Sequence, residues 1–119
     1  MLLTESLPSF AAELEQLLKK EGDAELAAQI SGLKIVDRCR CGDDFCASFY
    51  TERKPQGSYG AGHRCMELEP DPGMVILDVV EGRIVHVEVL YRHDIRERLH
   101  RPCFAVPPFQ KISASERLT

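Results

Sequence analysis

The chain has no continuous apolar run long enough to cross a bilayer, no surplus of positive charge and no C-x-x-C pair. Each absence removes a class of function. A spanning helix needs about 20 apolar residues, and the longest apolar stretches here, such as Met74 to Leu77, are strand-sized, so no membrane role is expected. Lys and Arg number 15 against 19 Asp and Glu. A domain of that balance has little with which to neutralise a phosphate backbone, which argues against general nucleic-acid binding. Without paired C-x-x-C motifs neither a zinc ribbon nor a thioredoxin-like redox site is indicated. The opening Met1-Leu2-Leu3-Thr4-Glu5 lacks the basic start and sustained apolar segment of a secretory signal. The expectation is a cytoplasmic protein whose five cysteines stay reduced, and the odd count agrees. No internal repeat is apparent.

What remains is an ordinary globular composition, 44% apolar and 29% charged over 119 residues, enough for one domain with a single core. Six of the acids and only two of the bases fall within residues 1 to 33, while the rest of the chain balances.

Leu7, Phe10, Ala11, Leu14, Leu17 and Leu18 recur at the three-and-four spacing of one helix face, with Pro8 suited to the first turn and Gly22 to the end. Asp23 is placed to cap a second, shorter helix with Leu26, Ala27 and Ile30 on one side, stopped by Ser31-Gly32. Residues 1–32 therefore read as a helical hairpin. From Leu33 to Cys41 the odd positions Leu33, Ile35, Asp37, Cys39 and Cys41 alternate with Lys34, Val36, Arg38 and Arg40, a half-buried strand whose odd face should point inward. Gly42-Asp43-Asp44 supplies a turn, and Phe45 to Thr51 has the aromatic and β-branched content of the next strand.

Lys54 to Arg64 is a loop by composition, Cys65 to Leu68 a short edge strand, and Glu69-Pro70-Asp71-Pro72-Gly73 a turn cluster. Met74 to Val80 and Arg83 to Tyr91 form the strongest strand pair, joined by Glu81-Gly82. With Val80 facing Arg83, a regular register sets Asp78 opposite Val85. Met74, Ile76, Asp78, Val85, Val87 and Val89 then make the drier face that should meet the helices, and His86 and Glu88 mark the wetter one. Asp94 to His100 reads as a short helix with Asp94 and Glu97 at capping-box spacing, ended by Arg101-Pro102. The prolines of Val106-Pro107-Pro108-Phe109 enforce an extended tail.

The fold class that follows is α+β: one domain over residues 1–119, with the helical hairpin (1–32) packed on a mainly antiparallel sheet of four or five strands (33–91), a short late helix (92–101) and an extended C-terminal tail (102–119).

Three cysteines fall within eight residues, Cys39-Arg40-Cys41-Gly42-Asp43-Asp44-Phe45-Cys46. Four soft ligands suffice for zinc, with Cys39, Cys41 and Cys46 joined by Cys65, His63 or Cys103. Register decides whether they meet. A three-residue turn puts Cys41 opposite Phe45 and parts the thiols; a two- or four-residue turn puts Cys41 opposite Cys46 with Cys39 one pleat away. Thiol catalysis would need a nearby cation, yet Arg38 and Arg40 point to the other face of a regular strand. The Gly57-Ser58-Tyr59-Gly60-Ala61-Gly62-His63 loop lacks the Lys-Ser/Thr ending of a phosphate-binding P-loop. His86 with Glu88, joined by His63 from the loop, offers acid–base or metal chemistry away from the cysteines. Arg92, Arg96 and Arg98 on the late helix offer a surface for an acidic partner, such as the N-terminal helices of a second copy in a homo-oligomer.

Val75-Ile76-Leu77-Asp78-Val79-Val80-Glu81-Gly82-Arg83-Ile84-Val85-His86-Val87-Glu88-Val89-Leu90 resembles small uncharacterised bacterial proteins in which an Asp-bearing strand turns through a glycine into an aliphatic-Glu-aliphatic-Leu strand followed by a helix. The resemblance implies a hairpin and carries no chemistry. The leading functional expectation is a non-catalytic module that binds a protein partner and needs no cofactor. A zinc-binding protein using the cysteine cluster comes next, and a thiol-dependent enzyme third.

Overall fold

The computed structural model describes residues 1–101; the expected tail and Cys103 lie outside them. The elements are α1 (Leu3–Ser6), α2 (Pro8–Lys20), α3 (Ala24–Gln29) followed by a 3₁₀ turn (Ile30–Gly32), β1 (Asp37–Arg38), β2 (Phe49–Tyr50), β3 (His63–Leu68), β4 (Met74–Val80), β5 (Arg83–Leu90) and α4 (His93–Leu99). The strands form one antiparallel sheet in the order β1-β2-β5-β4-β3. The architecture is α+β, as the sequence patterning indicates. No helix among the described residues is long and apolar enough to cross a membrane.

The helical layer forms where the sequence places it. Pro8 opens α2, and Phe10, Ala11, Leu14 and Leu18 are buried. The Asp23 carboxylate accepts the Leu26 backbone N–H at 3.0 Å, the side-chain cap that lets α3 restart after Gly22. Phe10 meets Phe49 of β2 edge to face at 6.3 Å, and Gln29 clamps the β4–β5 hairpin. Its amide nitrogen donates to Gly82 O, and its carbonyl oxygen accepts Ile84 N–H at 3.1 Å.

Both central residues of the hairpin turn, Glu81 (φ 50°) and Gly82 (φ 82°), lie in the left-handed region, the geometry of a tight turn that twists with its strands. Val80 pairs with Arg83 and Val79 with Ile84, but Asp78 then pairs with His86, leaving Val85 as an extra residue in a β-bulge. The regular register is thereby corrected. Val75, Leu77 and Val79 of β4 are buried against the helices together with Ile84, Val87 and Val89 of β5. Met74, Ile76 and Asp78 turn to the opposite face. A bulge lets the consecutive apolar residues Ile84 and Val85 both be buried, at 1% and 4% exposure, which strict alternation forbids.

A second correction concerns residues 33–41. Leu33 and Ile35 pack on the core, but Asp37 pairs with Tyr50, which pairs with His86, so Asp37 lies on the open face away from the helices. Alternation carries Cys39 and Cys41 to that face as well. The long strand expected here is paired in β1 over only two residues.

Candidate functional site

The open face of the sheet carries the four cysteines and two of the four histidines of the described residues. From β1 outward it presents Asp37 with Cys39 and Cys41, Cys46, Ser48 and Tyr50, His86 and Glu88, Asp78, and then His63 and Cys65 on the far edge. Most of them gather in two clusters.

The first is the thiol corner. Extending the pairing of Asp37 with Tyr50 and Arg38 with Phe49 sets Cys39 opposite Ser48, where Cys39 N–H donates to Ser48 O at 2.8 Å, and Cys41 opposite Cys46. The connection is thus the four-residue loop Gly42 to Phe45, closed by Cys46 N–H donating to Asp43 O at 3.3 Å. The sulfurs of Cys39, Cys41 and Cys46 all lie within 4.8 Å of one another. Cys41 is exposed, Cys39 half-buried and Cys46 buried, with Cys46 Sγ 3.3 Å from Ser48 Oγ. The loop tip is pinned by Tyr91 N–H donating to Phe45 O at 2.8 Å and by the stacked Phe45 and Tyr91 rings, 5.5 Å apart.

The thiols differ in acidity. A backbone hydrogen bond at Asp43 pulls Cys41 down, but its hydrogen bonds to Cys46 and Cys39 prevail and push it up to about 11. Burial raises Cys46, yet hydrogen bonds from Ser48 and from the two other thiols outweigh this and leave it below the ordinary thiol value.

Cys65 does not join these three. Two strands, β5 and β4, lie between its strand and β2, and it belongs to the second cluster. There Asp78 accepts hydrogen bonds on both oxygens: Oδ1 lies 2.8 Å from His63 Nε2 and 3.4 Å from Cys65 Sγ, and Oδ2 lies 2.9 Å from His86 Nδ1. Tyr50 packs on the His86 ring at 4.4 Å, and Tyr59 on the His63 ring at 4.9 Å. Burial raises Asp78, but the hydrogen bonds from His63, His86 and Cys65 together hold it below the ordinary carboxylate value. The same contact with Asp78 is the main cause of the raised Cys65 thiol.

Sequence reasoning joined His63 to His86 but left out Asp78, the residue that links them, because a bulge-free register turns Asp78 toward the helices. The signal was the consecutive apolar pair Ile84-Val85. Glu88 shares the face without joining either cluster.

Of the three arginines at α4, Arg92, the residue just before the helix, is turned inward and is not available as contact surface. Arg92 is 8% exposed and reaches across to α2, with Nη1 and Nη2 each 2.9 Å from a Glu13 oxygen. Its remaining donors reach Asp94 at 3.2 Å and Pro72 O at 3.3 Å, and the guanidinium lies 5.7 Å from the Phe10 ring centre. Arg98 donates to Ser6 O at 2.7 Å, and Arg96 is half-buried. Arg92 and Arg98 tie α4 to the helical layer.

Comparison of the chain with protein-family models, curated proteins and solved structures finds no match in any of the three.

Proposed function

We propose that the protein is a small non-catalytic zinc-binding module in which Cys39, Cys41 and Cys46 supply thiolates to one ion. The convergence of three sulfurs within 4.8 Å at one corner of the sheet carries this reading. Zn–S bonds of about 2.3 Å place sulfurs on a tetrahedron about 3.8 Å apart, so the corner needs to contract by no more than about 1 Å. Soft thiolates suit Zn(II), and the remaining position is open to water or to a donor from a partner.

The local fold gives the ion a structural task. β1 and β2 are paired over only two residues each, and few hydrogen bonds hold this edge. An ion bound to Cys39 and Cys41 on one strand and Cys46 on the other closes the hairpin, and its binding free energy adds to folding. Thiol catalysis is less well supported. The exposed thiol, Cys41, is held up at about 11 while the more acidic Cys46 is buried, the reverse of what a nucleophile needs.

Titration of reduced, metal-free protein with Zn(II) in competition with a chromophoric chelator tests the reading. The expected result is that wild type takes up one more tightly held ion per chain than either Cys41→Ser or Cys46→Ser. At a free concentration 100 times its dissociation constant, such an ion stabilises the fold by about 2.7 kcal/mol. Zinc uptake that both substitutions leave unchanged, or no uptake at all, overturns the proposal.

A further inference from the structure

We propose a second metal site, independent of the thiol corner, in which His63 Nε2, Cys65 Sγ and Asp78 Oδ1 bind a borderline divalent cation such as Zn(II), with His86 holding Asp78 in place. Three donors of different chemistry converge here. His63 Nε2 and Asp78 Oδ1 are 2.8 Å apart, Cys65 Sγ and Asp78 Oδ1 3.4 Å, and Cys65 Sγ and His63 Nε2 3.9 Å. Ligands on a tetrahedron with bonds of about 2.0–2.3 Å are spaced about 3.3–3.8 Å apart. The observed triangle brackets that range. Replacing the shared protons by an ion widens one edge by about half an ångström and draws in another slightly.

The scaffold is rigid where it must be. Cys65 pairs directly with Asp78 in the β3–β4 ladder, and His63 precedes Cys65 on the same face by two residues. Three ligands from two hydrogen-bonded strands are thus aimed by the backbone rather than by loops. The second oxygen of Asp78 is held by His86 Nδ1 at 2.9 Å, the outer hydrogen bond that commonly fixes a ligating carboxylate. The Asp78 and His86 side chains are 17% and 13% exposed, and the Tyr50 ring packs against that of His86. Cys65 and His63 are exposed, so an ion can enter from solvent.

The donor set selects the cation. One imidazole, one thiolate and one carboxylate are too soft for Mg(II) or Ca(II), which favour oxygen shells, and suit Zn(II) or Co(II). Three protein ligands leave one position open to water, the coordination that zinc adopts where it meets exchangeable ligands rather than a closed structural cage.

The ring nitrogens of the histidines report on this site directly. In reduced, metal-free protein titrated with Zn(II) and followed by NMR of the imidazole nitrogens, His63 Nε2 should shift as the site fills, while His93 and His100 stay unmoved. The His63 shift should persist in Cys41→Ser, which removes only the thiol corner. It should require at least about tenfold more zinc in Cys65→Ser and in Asp78→Asn. A His63 resonance that saturating zinc leaves in place overturns the proposal, as does a shift that neither substitution weakens. Loss of zinc binding at the thiol corner alone leaves the His63 response intact, so the two proposals fail separately.

Discussion

Replacing Arg92 by Met separates a structural arginine from a docking one. The substitution keeps the aliphatic stem beside Gly73 and removes the guanidinium that holds Glu13, Asp94 and Pro72 O and lies over the Phe10 ring. Breaking a fully buried ion pair costs about 3–5 kcal/mol, because the surviving charge is stranded. Arg92 is 8% exposed but Glu13 is 27% exposed, so water recovers part of that loss. The expected destabilisation is about 2–3 kcal/mol. For a domain of this size that lowers the melting temperature by on the order of 10–20 °C. Urea unfolding is the assay, with the midpoint falling and the slope unchanged. Glu13→Gln and the double variant complete a thermodynamic cycle whose coupling should exceed about 1 kcal/mol. The exposed Glu15–Lys19 pair, 3.0 Å apart, is the control, and Glu15→Ala should cost less than about 0.5 kcal/mol. An Arg92→Met variant within about 0.5 kcal/mol of wild type, or a coupling near zero, would refute the reasoning and return Arg92 to the surface.

Gln29→Ala should cost about 1–2 kcal/mol by leaving Ile84 N–H without its acceptor, with hydrogen exchange at that amide accelerating ahead of its neighbours. Gly73→Ala should be more damaging than Gly57→Ala. A Cβ at Gly73 (φ 93°) falls 2.7 Å from Arg92 Cγ and 2.8 Å from Leu90 O, whereas at Gly57 (φ 91°) it meets nothing, so denaturation midpoints should rank the two. Asp78 titrates below its ordinary value because His63, His86 and Cys65 hydrogen-bond its carboxylate. The stability those bonds contribute is full above the unfolded pKa of about 3.9 and is lost as pH falls through the lower folded value. Metal-free wild type should therefore lose stability more steeply than Asp78→Asn below about pH 4, and parallel curves would contradict the network.

The helices, the hairpin turn and the antiparallel sheet were legible because each rests on a local signal: the leucine spacing of α2, the Asp23 cap, and Glu81-Gly82 between two aliphatic runs. The face of β4 that meets the core was not. One extra residue, Val85, reverses which side of the strand is buried, and its one trace in the sequence, the consecutive pair Ile84-Val85, is no more conspicuous than the run Val75-Ile76-Leu77. Asp78 was thereby removed from the histidines it joins. The thiol corner was legible up to the length of its turn, since Gly42-Asp43-Asp44 fits a three-residue loop as readily as Gly42 to Phe45 fits four. The Cys39 hydrogen bond to Ser48 O selects the longer loop and sets Cys41 opposite Cys46. Arg92 looked like surface charge because its partner, Glu13, is 79 residues away in sequence.

Metal content tests the central claim most directly. Wild type and Cys41→Ser, both purified without chelator and without an affinity-tag metal, should differ by one zinc per chain. Equal zinc in the two proteins, whether none or some, would contradict the thiol corner as a metal site.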